Sequence, residues 1–181
     1  MKRLVFIGDS LTEFFDWQDR FKDFCVINLG ISGETVEGLL SRLDLITSSI
    51  DNPDLIFIMT GINNIAMEDY EIIDRYKKII EILSNKFNPS TIVIQSILPV
   101  YLPWIDNNII KKINDSLKGI ADDFEVEYLD IYSLFIDPKG IVIKDYLLDD
   151  GVHLSNKGYD LWTKRLDEYL KTRFGIIKQN H

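Results

Sequence analysis

Short, nearly uninterrupted apolar runs recur along this 181-residue chain, and amphipathic stretches separate them. Leu4-Val-Phe-Ile7, Leu55-Ile-Phe-Ile-Met59 and Thr91-Ile-Val-Ile-Gln95 are the clearest, with Cys25–Leu29 and Val126–Leu129 as weaker versions. A strand with one wet face alternates apolar and polar residues, whereas a run apolar throughout is buried on both faces. The stretches between them repeat their apolar residues at helical spacing. Val36, Leu39, Leu40 and Leu43 predict a helix over residues 34–50, and Ile72, Ile73, Tyr76, Ile79, Ile80 and Leu83 another over 69–86. Ile109, Ile110, Ile113, Leu117 and Ile120 predict a third after Asp106. Tyr159, Trp162, Leu166, Tyr169 and Leu170 mark a last helix, with Ser155 as its N-cap. Asn52-Pro53 and Asn88-Pro89 punctuate helix-to-strand joins. Strand and helix in alternation predict an α/β fold: three layers, α/β/α, around a five-stranded parallel sheet in flavodoxin-like order 2-1-3-4-5. The chain is expected to be one domain, residues 1–181, with a frayed tail after Phe174.

Charge and cysteine content narrow the function classes. A net charge of −9 argues against nucleic-acid binding, which calls for a basic face, and against adhesion to anionic lipid. No window approaches the run of about 20 apolar residues that a membrane span needs. The apolar run after Lys2-Arg3 is too short for a signal-peptide core. The one cysteine, Cys25, has no internal partner, and no Cys/His spacing suits a metal. The expectation is a cytoplasmic chain with no metal and no cofactor; its oligomeric state is not legible.

Open α/β sheets bind ligands beyond the carboxyl ends of their strands. Gly8-Asp9-Ser10 follows the first strand, Gly30-Ile-Ser-Gly-Glu-Thr35 the second, and Thr60-Gly-Ile-Asn-Asn64 the third. A serine hydroxyl needs a base to act as a nucleophile. Of two histidines, His181 is the last residue and is expected to be mobile, which leaves His153 as the imidazole candidate. Asp150, three residues earlier, can reach its Nδ1–H in a bent loop and orient it. Gly30 and Asn63 are candidate donors to an oxyanion. Each motif alone also has a plain structural reading: a strand exit at Ser10, a turn at Gly30, Asn63 and Asp150, a half-buried loop histidine at 153.

Together, Gly8-Asp9-Ser10-Leu11, Gly30, Gly61-x-Asn63 and Asp150-x-x-His153 resemble the four blocks of the SGNH, or GDSL-type, hydrolase superfamily, in order and spacing, over most of the chain. Asn28-Leu-Gly-Ile-Ser-Gly-Glu-Thr35 is similar to the thioesterase I/lysophospholipase L1 branch. The resemblance implies Ser10 as nucleophile, His153 as base and Asp150 as orienter. It also implies an oxyanion hole from the Ser10 and Gly30 N–H groups and the Asn63 side chain, with no cofactor. Many members carry Asn-Asp in the third block; here it is Asn63-Asn64.

The expected substrate is a small ester, hydrolysed through an acyl-enzyme on Ser10, with thioesters, lysophospholipids and acetylated sugars as alternatives. A catalytically inert carbohydrate- or lipid-binding module is the alternative of another class. The apolar segment after the fourth strand supplies candidate pocket residues Leu98, Val100, Tyr101 and Trp104. Phe14, Phe15 and Trp17 either add a second wall or cover the sheet.

Overall fold

The computed structural model describes residues 1–88 and 90–175. The proline of the Asn88-Pro89 join, the tail after Gly175 and His181 lie outside the described residues. In chain order the elements are β1 Arg3–Gly8, α1 Ser10–Glu13, α2 Trp17–Arg20, β2 Cys25–Gly30, α3 Val36–Ser41, α4 Leu43–Ser49, β3 Leu55–Met59 and α5 Ile62–Ala66. They continue with α6 Ile73–Lys86, β4 Thr91–Gln95, α7 Asn107–Asp123, β5 Glu127–Leu129 and α8 Asn156–Phe174; two 3-10 turns cover Tyr132–Phe135 and Lys144–Tyr146.

The five strands are parallel, in the order β2-β1-β3-β4-β5, as the apolar pattern predicts. β1 and β3 are buried along nearly their whole length, which is why their sequences lack alternation; β2 and β5 lie at the edges and are half-buried. α3, α4, α6 and α7 pack in succession on one face of the sheet. On the other face Phe6 stacks between Trp17 and Phe57, with centroids at 4.3 and 5.0 Å, and Trp162 of α8 meets Trp17 edge-on at 4.9 Å. Trp17 therefore covers the sheet, and its indole N–H donates to the Thr12 carbonyl at 2.7 Å. Among the described residues no helix is long and apolar enough to cross a membrane.

Two helices depart from expectation. The helix predicted over 34–50 is broken at Arg42. That side chain turns back to grip Glu34 with Nε and Nη2 at 2.5 and 2.7 Å, and Nη2 also donates to the Leu29 carbonyl at 2.7 Å. The helix expected from residue 69 starts at Ile73, because the Asp69 N–H and side chain are bound to Asn64 instead.

The register aligns Gly8 with Gly30 on one side and with Met59 on the other. β1, β2 and β3 thus end at one level, and the three loops that follow open onto the same edge.

Candidate active site

β1 passes directly into α1 through Asp9. The Asp9 backbone is extended, and its Oδ1 caps the helix by accepting the Leu11 N–H at 3.1 Å. This places Ser10 at the first helical position, at the sheet edge and 4% exposed. His153 reaches it from the turn before α8, its Nε2 lying 3.0 Å from Ser10 Oγ. His153 Nδ1 lies 2.6 Å from Asp150 Oδ2. Asp150 Oδ1 accepts the N–H groups of Val152 and His153, both at 2.9 Å, so the carboxylate that holds the ring also builds the turn that carries it. Burial alone would raise the Asp150 carboxyl; the Val152 N–H, the imidazole and the His153 N–H outweigh it and hold it below the usual aspartate value. The three groups form one line of hydrogen bonds, carboxylate to imidazole to hydroxyl, the arrangement that lets a serine lose its proton to a base of fixed tautomer.

The candidate oxyanion donors are placed less evenly. Gly61, at φ +120°, turns β3 into α5 and carries Asn63 to the edge. A side chain at 61 would also sit 2.8 Å from Ile97 Cδ1. Asn63 Nδ2 donates one hydrogen to the Glu34 carbonyl at 2.9 Å, leaving its second for a ligand. The Gly30 N–H, by contrast, is spent: it donates to Asn28 Oδ1 at 3.0 Å, which corrects the expectation that it faces the reacting oxygen. The Asn28 Nδ2 meanwhile ties down the Thr12 carbonyl at 3.0 Å. Gly30 has a packing role, since a Cβ there would lie 2.3 Å from the Glu13 nitrogen and 2.9 Å from the Asp9 carbonyl. Gly30→Ala is expected to push α1 off β2 and lower stability by about 1–3 kcal/mol. Urea midpoints check this, and an unchanged midpoint would show that the contact relaxes freely. Three residues on, Gly33 has φ +75°, open space where a Cβ would stand, and an N–H with no acceptor among the described residues.

Asn64, the departure from the third block, is buried and fully bonded. Its Oδ1 accepts the Val36 N–H at 2.9 Å, and its Nδ2 donates to Glu37 Oε2 at 2.8 Å and Asp69 Oδ2 at 2.9 Å. Facing two carboxylates, this position requires an amide donor, and an aspartate would add a third negative group.

The expected pocket wall after β4 has another task. Leu98 and Val100 are buried in the core, while Tyr101 and Trp104 are exposed. Val100 is pinned to α7 by both ends of the Asn107 amide, at 2.9 and 2.8 Å. Tyr101 donates its N–H to the Gly151 carbonyl at 2.7 Å. The segment therefore braces the turn between Asp150 and His153, and none of the four lines the cleft beside His153. Val100 and Tyr101 instead line a separate cavity of about 340 Å³ with Ile141 and Val142. Of the early aromatics, Phe15 stacks on Tyr159 at 4.6 Å and Phe14 stands exposed beside His153, centroids 5.5 Å apart.

Asp9 was not singled out by sequence beyond its place in the motif. It is 1% exposed and Oδ2 has no partner among the described residues. Burial, with Glu34 nearby, pushes its carboxyl up to about 7, against the opposing pull of the Leu11 N–H and His153.

Platelet-activating factor acetylhydrolase IB subunit alpha2 of Rattus norvegicus is 26% identical over 177 residues, covering 92% of this chain and 75% of that protein. A structure from Streptococcus pneumonia, provisionally described as a platelet activating factor, superposes with a TM-score of 0.84 at 28% identity, over 93% of this chain and 84% of the other. A GDSL-like lipase from Bacteroides thetaiotaomicron gives 0.70 at 26%, over 95% and 89%. The family profile described as GDSL-like Lipase/Acylhydrolase matches residues 6–161, from the strand before Ser10 to the helix after His153. A match of that extent, over a sheet and an edge arranged as above, makes this chain a member of the GDSL-like lipase/acylhydrolase family and a hydrolase of its kind.

Proposed function

We propose that this chain is a serine esterase that cleaves short-acyl, above all acetyl, esters through an acyl-enzyme on Ser10. The observation that carries the reading is the unbroken contact from Asp150 through His153 to Ser10, at 2.6 and 3.0 Å. Ser10 Oγ attacks the ester carbonyl carbon as its proton passes to His153 Nε2. The carbonyl oxygen, now an anion, is met by the Ser10 N–H, the free hydrogen of the Asn63 amide and the Gly33 N–H, which takes the place first given to Gly30. Each such donor contributes roughly 2.7–4 kcal/mol to the transition state. The C–O bond to the alcohol breaks, and His153 returns the proton to the departing oxygen. Water, deprotonated by the same imidazole, then releases the acid and restores Ser10. Asp150 keeps Nδ1 protonated and steadies the imidazolium. The acyl preference is supported by the relatives named as acetylhydrolases.

The test is a series of p-nitrophenyl esters from acetate to octanoate, run beside acyl-CoA and an acetylated sugar. We expect kcat/KM to be highest for acetate and to fall about tenfold or more by octanoate, the scale on which a pocket sorts acyl groups differing by several methylenes. A fluorophosphonate should label Ser10. A preference for long acyl chains or thioesters would move the chain toward the thioesterase I-like branch. Absence of both turnover and labelling would leave an inert binding module.

A further inference from the structure

One wall of His153 opens on a cleft of about 710 Å³ whose apolar lining is Phe14, Leu148, Leu154 and Tyr159. Phe14 and Leu148 are 59% and 52% exposed, an unusual state for two large apolar side chains set together beside a reacting imidazole. Their neighbours are firm. Leu154 is buried, and the Tyr159 hydroxyl is held by the Leu11 carbonyl at 2.9 Å, so that residue offers the cleft its ring. The polar end is closed by Asp145 and Lys157, which pair with each other at 3.2 Å; the remaining carboxylate in the lining, Asp150, is engaged by the His153 ring and two backbone N–H groups.

The stereochemistry of the proposed ester cleavage, on which this inference rests, decides what enters. In the tetrahedral intermediate the anionic oxygen points toward the loops after β2 and β3, where Asn63 and Gly33 stand. The alcohol oxygen must point at His153 Nε2, which protonates it. The group attached to that oxygen therefore lies along the imidazole and runs onto the wall that Phe14 and His153 share. We infer that this cleft is the leaving-group subsite, and that it takes the apolar or aromatic body of the ester's alcohol moiety. The acyl group faces the other way and does not enter it.

Matched acetates separate this subsite from an acyl pocket. Phenyl acetate and 2-naphthyl acetate share an acyl group and differ in the size of the alcohol; phenyl butyrate varies the acyl group alone. kcat/KM is the right measure because it reports acylation, the step in which the alcohol leaves. Phe14→Ala and, independently, Leu148→Ala should each lower the naphthyl-to-phenyl ratio of kcat/KM by about tenfold, mainly through KM, as the loss of apolar contact over one ring implies. The acetate-to-butyrate ratio should move less than about twofold. Two variants on separate segments keep the result from depending on α1 alone. If both leave the naphthyl-to-phenyl ratio unchanged while the wild type turns over both esters, the subsite assignment fails and the esterase reading stands. If the acetate-to-butyrate ratio moves instead, the cleft is the acyl pocket. If the wild type cleaves none of the esters, the esterase reading fails and the subsite falls with it.

Discussion

Ser10→Ala is expected to reduce kcat for p-nitrophenyl acetate by at least about a thousandfold, and His153→Ala by a comparable factor. Ser10 Oγ and His153 Nε2 share one hydrogen bond, at 3.0 Å, and act in one proton transfer. Without the hydroxyl the imidazole has no proton to take, and without the imidazole the hydroxyl stays protonated and a poor nucleophile. The double variant should therefore be little worse than either single one. What remains would be the contribution of the oxyanion donors and of binding, which persists when such a unit is dismantled. Losses that multiply in the double variant would mean that the two side chains act in separate steps, and the acyl-enzyme on Ser10 would have to be abandoned. Removal of the Ser10 hydroxyl leaves α1 intact, because the cap is built from Asp9 Oδ1 and the Leu11 N–H. A collapsed fold should therefore not imitate the loss.

β1, β3 and β4 were legible because burial on both faces leaves a continuous apolar run, a signal carried by five or six residues without help from their neighbours; the half-buried edge strands β2 and β5 gave a weaker one. The long helices α6, α7 and α8 were legible for a related reason: three or more turns repeat an apolar face often enough to be counted. α1, α2 and α5 have four or five residues, a single turn or little more, so no periodicity exists to be read. The break at Arg42 was hidden because its cause, a carboxylate at Glu34 and a carbonyl at Leu29, is set by the strand and loop before α3, a stretch whose end the apolar spacing ran into the helix. The site shows the same division. Ser10, Asp150 and His153 were reachable from spacing and from the scarcity of histidine. Which glycine of Gly30-Ile-Ser-Gly33 keeps a free N–H was not, because that depends on where the Asn28 side chain folds back. Likewise, apolar composition after β4 suggested a pocket wall, while the backbone contacts of Val100 and Tyr101 make the segment a brace for the turn of Asp150 and His153. The cleft beside His153 draws on residues from 14 to 159, a grouping that only the folded topology creates.

Asp9→Asn is expected to change how stability depends on pH more than any other single substitution at this edge. Asp9 is buried, and its Oδ2 is without a partner among the described residues. A carboxylate there would keep its charge without solvent or a second hydrogen bond, so the folded state favours the neutral acid, with the carboxyl pushed up to about 7, first by burial and then by Glu34. In the unfolded chain the same group ionises near its ordinary value of 3.8. Between those values the folded state binds the extra proton, so stability must fall as pH rises, by about 1.4 kcal/mol per unit, until the folded carboxyl also ionises. Asparagine keeps the oxygen that accepts the Leu11 N–H and has no proton to lose. The difference in unfolding free energy between wild type and variant should therefore shift in favour of the variant by roughly 3 kcal/mol between pH 5 and pH 8. Urea unfolding at the two pH values measures it. Asp150, held below its ordinary value, works in the opposite sense, adding stability that is lost as pH falls, but it is present in both proteins and cancels in the difference. The asparagine amide costs about 1–3 kcal/mol for a buried donor left without a partner, a penalty that does not vary with pH and so lowers both readings alike. Parallel pH–stability curves for the two proteins would show that Asp9 is ionised in the folded state. The carboxyl directly before the serine would then be a fixed anion under the site rather than a neutral cap.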